Sequence, residues 1–195
     1  MAAKKKSSGK SSSKKSASRK SSSSRSRQMS ALTLLQQDHK MVQELFDKFE
    51  KTRSEEKKAE IAAQIVNELK IHAQIEEEIF YPAARAAIKE TDLLDEATVE
   101  HQSAKDLIAQ IEGEGPDGEL FEAKVKVLGE YIRHHVKEEQ NELFKEVRKA
   151  KDLDLNALGE QLQARKEALM EGGMGGGGGS AGLQGSRATR SRATA

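Results

Sequence analysis

Two stretches of the chain carry the same pattern, HAQIE at residues 72–76 and HVKEE at residues 135–139. Both read His-x-x-x-Glu, and residues four apart in an α-helix lie on the same face, one above the other. Each stretch therefore presents an imidazole and a carboxylate together. Two single histidines, His39 and His101, lie in two other stretches with helical periodicity. Four imidazoles and two carboxylates make these stretches candidates for one dinuclear metal site.

Apolar residues recur at intervals of three and four around each of these histidines, which predicts four amphipathic helices. The predicted helices cover residues 31–51, Ser54 to a kink or end near Pro82, Thr91 or Asp92 to a loop at 113–118, and about 119–149. The four histidines are separated by 33, 29 and 34 residues, so each interval holds one helix and one short loop. Short connections make successive helices antiparallel neighbours.

The predicted fold is therefore all-α: an antiparallel up-down-up-down four-helix bundle with a short additional C-terminal helix and disordered tails. The C-terminal segment is amphipathic through Leu155, Leu158, Leu162 and Leu169, and we expect it to pack across one end of the bundle. The predicted boundaries are 1–28 for a basic arm, 29–171 for the bundle with its C-terminal helix, and 172–195 for a flexible Gly-rich and Ser/Arg-rich tail.

The net charge of +1 conceals a strong asymmetry. Residues 1–28 hold ten Lys and Arg and no acid, and residues 187–195 add three Arg, which leaves 20 basic against 32 acidic residues between them. Clustered cations displace counterions from phosphates, so the arm is a candidate for sequence-independent DNA or RNA contact, although it contains no aromatic residue for base stacking. The alternative is a solubilising tail. The candidate nucleic-acid-binding residues are Lys4, Lys5, Lys6, Lys14, Lys15, Arg19 and Lys20.

The chain contains no cysteine, which excludes disulfides, thiolate metal sites, iron–sulfur clusters and thiol catalysis. No apolar run approaches the roughly 20 residues that span a bilayer, so we expect no membrane association. The basic N-terminus is not followed by a hydrophobic stretch, which argues against a secretory signal. We therefore expect a cytoplasmic protein.

Metal coordination accounts for the polar side chains on the apolar faces. A buried carboxylate costs several kcal/mol unless it is paired or bound to metal. The metal-free alternative is a bundle in which Lys105, Arg133 or protonated histidines serve as partners. Imidazole and carboxylate ligands suit iron, manganese or zinc. Two carboxylates from two helices can bridge a pair of metals, and positions then remain open for a solvent bridge and an external ligand.

The pattern resembles the hemerythrin-like (HHE cation-binding) family over about residues 30–150. The matching pieces are Asp38-His39, HAQIEEEIFYP at 72–82, Glu100-His101 and HHVKEEQNELF at 134–144. The resemblance implies two non-haem iron ions with an oxo or hydroxo bridge. By position, His39 and His72 would bind one iron, His101 and His135 the other, and Glu76 and Glu139 would bridge them.

Lys105 departs from the family pattern, because the invertebrate oxygen carriers have a fifth histidine at this position. Four histidines favour a more open iron that binds, senses or reduces a small oxidant, namely dioxygen, peroxide or nitric oxide, with oxidative-stress defence as one setting. Tyr131, one turn before His135, is a candidate to hydrogen-bond a bound ligand or simply to fill the core. The candidates to orient the ligand imidazoles from outside are Glu77, Glu78, Glu100 and Glu138, and the alternative is that most of them are solvated surface acids.

Three functions stay open at this point. The first is the di-iron protein that handles a small oxidant, and whether it turns this oxidant over as an enzyme is undecided. The second is a metal- or redox-dependent interaction protein whose basic arm contacts DNA or another polyanion. The third is a helical bundle without metal chemistry.

Overall fold

The computed structural model describes residues 29–174, so the predicted arm and most of the predicted tail lie outside the described residues. The described part is helical and without strands, which confirms the predicted all-α bundle. The α-helices are α1 (Ala31–Lys51), α2 (Glu55–Ile75), α3 (Tyr81–Ala87), α4 (Asp92–Glu114), α5 (Phe121–Glu138), α6 (Phe144–Lys149) and α7 (Leu155–Met174). No helix in residues 29–174 is long and apolar enough to cross a membrane.

The first two helices begin where the sequence places a capping serine. The hydroxyl of Ser30 accepts a hydrogen bond from the Thr33 backbone N–H, and Ser54 does the same for Lys57. Such caps satisfy one of the amide donors that a helix leaves free at its start. The C-terminal end of α4 is set by a glycine. The chain leaves the helix at Gly115, whose φ of 69° favours glycine. The loop expected to begin at Gly113 therefore begins at Gly115.

Two π-helical segments interrupt the long helices, at Glu76–Phe80 between α2 and α3 and at Glu139–Leu143 between α5 and α6. Each segment begins at the glutamate of a His-x-x-x-Glu pattern. Pro82 does not end the second bundle helix, which continues to Ala87. A proline ring normally clashes with the carbonyl four residues earlier, but the wider π-helical turn just before Pro82 shifts that carbonyl. Short π-helical insertions are frequent at functional sites.

The core consists of two apolar clusters with a polar layer between them. One cluster contains Phe80 and Phe144 and also takes in the start of α1. The other contains Phe46, Ile65 and Leu128, towards the opposite end of the bundle. The candidate metal ligands lie between these clusters, which shield them from water on both sides.

The C-terminal helix α7 is 20 residues long and packs alongside α1, not across one end of the bundle as predicted. Gly159 explains the close approach, because a Cβ atom there would lie 2.1 Å from the Met29 carbonyl oxygen. Two turns further on, the Lys166 ammonium reaches the Asp38 carboxylate at 2.5 Å. These two contacts place α7 parallel to the first half of α1. Leu158 and Leu162 complete the apolar cluster there.

Candidate metal centre

The structure brings the six predicted ligands into one layer of the bundle. All six are buried, with exposed fractions of 6% or less; they are His39, His72, Glu76, His101, His135 and Glu139. Each of the four bundle helices contributes one histidine, and the second and fourth contribute the glutamates as well. Both glutamates stand at the first position of a π-helical segment.

The ligand atoms form two groups that share Glu76. One group is His39, His72 and Glu76, the other is Glu76, His101 and His135, and within each group the ligand atoms lie within 4.8 Å of one another. One Glu76 oxygen lies 3.3 Å from His72 Nε2 and 3.4 Å from His101 Nε2. Glu139 lies 3.2 Å from His39 Nε2. The geometry therefore pairs the histidines as the family resemblance implies, with carboxylates between the pairs.

Most of the inward-facing polar atoms of this layer have no hydrogen-bond partner. Both oxygens of Glu76, both oxygens of Glu139, and the Nε2 atoms of His39 and His72 are buried and unpaired. Their mutual contacts are close, but they are poorly aligned for hydrogen bonds. A buried unpaired polar group costs about 1–3 kcal/mol, and a carboxylate costs more. Metal ions bound between these atoms would remove this penalty, so the residues fit a dinuclear centre.

A second layer of side chains holds the outer nitrogens of the imidazoles. Nδ1 of His101 lies 2.9 Å from Glu77, and Nδ1 of His135 lies 2.7 Å from Glu100. Nδ1 of His39 lies 2.9 Å from the Gln140 amide. Such partners fix the orientation of the ring and direct Nε2 towards the metal. Glu77 and Glu100 thus fill the predicted outer role, whereas Glu78 pairs with Arg165 and Glu138 contacts His134.

His72 has a different outer partner, which sequence reasoning missed. Its Nδ1 lies 3.6 Å from Asp38, and Asp38 in turn binds Lys166 of α7. Lys166 is a buried cation, 9% exposed, and its helix begins beyond the four-helix bundle. The sequence contains no signal for this contact, because 128 residues separate the two partners.

Burial and neighbouring charges shift the pKa values in this layer in opposite directions. Burial lowers the pKa of His72 to about 4, so its imidazole is neutral at physiological pH. Burial, reinforced by repulsion from Glu139, raises the pKa of Glu76 well above its ordinary value. Burial also tends to raise the pKa of Glu139, but the contact with His39 outweighs burial and lowers the pKa of Glu139 to about 2. Two adjacent buried carboxylates therefore favour sharing one proton, which a metal ion would displace.

Lys105 points away from the centre. Its ammonium lies 2.5 and 2.6 Å from the two Glu77 oxygens, and its side chain is 43% exposed. The hydrogen bond from His101 and the Lys105 charge lower the pKa of Glu77 to about 2. Lys105 therefore acts on the centre through Glu77 and His101, and supplies no fifth imidazole.

Tyr81, not Tyr131, is the tyrosine of the site. Tyr131 is 52% exposed, so the prediction that it lies on the buried stripe is wrong; the buried line of α5 passes through Leu128 and His135. The Tyr81 hydroxyl lies 3.2 Å from His101 Nε2. A residue five positions after Glu76 points elsewhere in a regular α-helix, but the π-helical turn brings Tyr81 back to the same face.

A cavity of about 520 Å³ connects the centre with the surface between the helices. All four ligand histidines line it, and its walls include Leu69, Ala104 and Ile108. Lys70 and Lys105 lie at its polar side, each paired with a glutamate. A small molecule therefore has an apolar route to the imidazole layer.

Three comparisons with known proteins bear on this site. The profile of the hemerythrin HHE cation-binding domain matches residues 30–147. A solved hemerythrin HHE cation-binding domain-containing protein from Mycobacterium kansasii aligns with a TM-score of 0.64 and 25% identity, over 74% of this chain and 90% of that one. A protein called DNA nickase, from Nostoc sp., is 31% identical over 120 residues.

The match to the Nostoc protein covers 62% of this chain and 34% of that protein, so this chain spans about a third of its relative's length. The profile match, by contrast, takes in all four bundle helices and every residue of the buried layer. The chain belongs to the hemerythrin HHE cation-binding domain family.

Proposed function

We propose that this protein holds two non-haem iron ions at the buried centre and uses them to bind, sense or reduce a small oxidant. The observation that carries the proposal is the membership of Glu76 in both ligand groups. A carboxylate shared by two groups of imidazoles is suited to bridging two metal ions. Nitrogen and oxygen ligands without sulfur favour iron, manganese or zinc over softer metals.

The protein's own side chains prepare this centre for metal. The hydrogen bonds to Glu77 and Glu100 place the ring protons of His101 and His135 on Nδ1, which leaves Nε2 free as a ligand. His72 is kept neutral by burial. A bound iron pair would supply reversible oxidation and reduction together with open positions for an oxidant.

Tyr81 is the residue best placed to act on a molecule bound at the centre. Burial, together with the charges of Glu76 and Glu139, raises the pKa of Tyr81 well above its ordinary value, so its hydroxyl stays protonated. The hydroxyl lies beside His101 Nε2 and can donate a hydrogen bond into the layer. The cavity of about 520 Å³, which His101 lines, has ample room for dioxygen, peroxide or nitric oxide to reach the imidazole layer.

Metal analysis and optical spectroscopy of the purified full chain test the proposal. We expect about two irons per chain after expression in iron-replete medium, with a ferric charge-transfer absorption that responds to peroxide or nitric oxide. His72→Ala and His135→Ala should each lose iron, whereas His134→Ala, which removes an exposed neighbouring imidazole, should retain it at equilibrium. Absence of iron, or full retention in both ligand variants, would refute the proposal.

A second candidate function is contact with DNA through the basic arm. It is supported by the name of the Nostoc relative, DNA nickase, and by the ten Lys and Arg of residues 1–28. Binding of duplex DNA should weaken steeply with salt, because phosphate contacts release counterions. Removal of residues 1–28 should abolish binding, and equal affinity of the full and shortened chains would exclude the arm.

A further inference from the structure

The fourth bundle helix carries a second His-x-x-x-Glu pair that the buried centre does not use. His134 and Glu138 are each one residue before a buried ligand, so they point outwards where His135 and Glu139 point inwards. The His134 side chain is 63% exposed, and the Glu138 side chain is 33% exposed. The sequence HHVKEE thus contains two interleaved copies of one pattern, on two faces of the helix.

The outward pair meets a third oxygen ligand from α4. His134 Nε2 lies 3.1 Å from Glu138 Oε1 and 3.7 Å from Glu100 Oε1. The three ligand atoms lie within 4.8 Å of one another. Ligands around a zinc-sized ion stand about 3–3.5 Å apart, because each metal–ligand bond is about 2 Å long. One imidazole and two carboxylates at these separations can bind a divalent transition metal after small side-chain adjustments, and water completes the coordination.

Glu100 joins this outer group to the buried centre. Its other oxygen, Oε2, accepts a hydrogen bond from Nδ1 of His135, which is a buried ligand. The carboxylate is therefore held in place by one oxygen while the second faces His134. Its side chain is only 24% exposed, which limits its freedom to turn away.

A narrow cleft leads inwards from the same group. It lies between α4 and the fourth bundle helix and has a volume of about 10 Å³. Half of its lining residues are acidic, namely Glu96, Glu100, Glu138 and the buried Glu139, and the others are His135, Leu93, Ala97 and Leu143. This volume corresponds to about one water-sized sphere. Its acidic lining attracts cations, whereas the wide cavity on the other side has apolar walls and paired lysines. The centre therefore has separate approaches that suit a metal ion and an uncharged oxidant.

We propose that Glu100, His134 and Glu138 form a second, solvent-accessible site for a divalent transition metal ion, from which metal passes to the buried centre. We call this passage of metal from the outer site the capture role. It rests on the proposed function only in that the buried centre must bind metal. It does not depend on which oxidant the protein meets. His134 supplies the imidazole that gives the site preference over the many purely acidic patches of the surface.

An equilibrium titration of the metal-free full chain with Zn(II) tests the site itself. The wild type should bind about three Zn(II) per chain, two tightly and one more weakly. His134→Ala and Glu138→Gln should lose only the weak ion, and Gln102→Ala, a neutral exposed change on α4, should keep all three. A wild type that binds no ion beyond the buried pair, or a His134→Ala variant that keeps the third ion, would overturn the proposal.

The rate of metal loading tests the capture role. With anaerobic Fe(II) added to metal-free protein, His134→Ala should fill the buried centre several-fold more slowly than wild type but reach the same final content. Equal rates would overturn the role of the outer site in loading. If the buried centre takes up no metal in any variant, the proposed function fails instead, and the Zn(II) titration still reports on the outer ion.

Discussion

Replacing Glu76 by glutamine should stabilise the metal-free protein and abolish its response to metal. Glu76 is 0% exposed, and neither of its oxygens has a hydrogen-bond partner. Its raised pKa shows that the fold disfavours the charged form. Glutamine has nearly the same shape and no charge, so the variant keeps the packing and removes the ionisation penalty. It also removes the one carboxylate that belongs to both ligand groups.

The size of the effect follows from the burial of this carboxylate. A neutral unsatisfied buried group costs about 1–3 kcal/mol, and the glutamine amide retains this cost. A charged group costs more, and the removal of this excess leads us to expect that the metal-free variant gains about 2 kcal/mol. For a domain of this length, 1 kcal/mol corresponds to about 3 °C, which gives a gain in Tm of about 6 °C. Wild type at metal concentrations a hundredfold above the Kd of the buried centre, but below that of the weaker outer site, should gain about 2.7 kcal/mol, or about 8 °C, and the variant should gain nothing.

The stability that Glu76→Gln gains in the metal-free protein should increase with pH. Because the pKa of Glu76 is higher in the folded than in the unfolded protein, metal-free wild type loses stability as pH rises above the unfolded value near 4.5. The advantage of Glu76→Gln should therefore be larger at pH 7 than at pH 5. Above the folded pKa the difference no longer grows.

Thermal unfolding of chelator-treated protein, followed by circular dichroism with and without added Fe(II) or Zn(II), measures these differences. Glu130→Gln, on the exposed side of α5, makes the same chemical change without burial and should behave as wild type. If metal-free Glu76→Gln is no more stable than wild type, the penalty assigned to Glu76 is wrong. If metal at concentrations too low to fill the outer site still stabilises the variant, Glu76 is not a ligand.

Three further predictions concern neighbouring residues. Tyr81→Phe should leave the metal content unchanged, lower stability by about 1 kcal/mol through loss of one buried hydrogen bond, and alter the rate at which peroxide changes the optical spectrum. Lys166→Met should lower stability to denaturant by about 3 kcal/mol, because it leaves the Asp38 carboxylate buried without its partner, and Asp38→Asn in the same chain should recover part of the loss. Lowering pH from 7 to 5 should weaken metal binding through protonation of Glu76 and of His135, not of His72 with its pKa of about 4. Burial lowers the pKa of His135, but its hydrogen bond to Glu100 outweighs burial and raises that pKa above the ordinary value. Calorimetry in two buffers should show proton release.

The six candidate ligands were accessible from the sequence because regular helical geometry relates spacing to direction. His72 and Glu76 are four apart, and the apolar residues around them show which way that face points. The same reasoning located the helices and their antiparallel order. Cation binding by the domain is implied by the family, whereas the assignment of these six residues as its ligands stays a prediction.

Regular helical geometry does not predict the residues that surround the ligands, and there are physical reasons for this. Tyr81 escapes a sequence-based prediction because a period of 3.6 residues does not hold through the π-helical turn before it. Tyr131 lies four residues before His135 in regular α-helix, but beside the buried stripe of α5 and not on it. Nothing in the sequence links Asp38 to Lys166, which reaches it through the packing of α7. Tertiary contacts of this kind depend on shape, such as the close approach at Gly159.

The two π-helical turns also give the chain two places where it can lose a residue. Each turn takes up one residue more than an α-helical path between the same end points. Deleting Glu78 would therefore let Glu76–Phe80 return to α-helical winding and would leave Tyr81, now four residues after Glu76, on the same face of the helix. Deleting one residue from the regular part of α2 would instead rotate everything beyond it by about 100° and would turn His72 and Glu76 out of the layer, although no ligand had been changed.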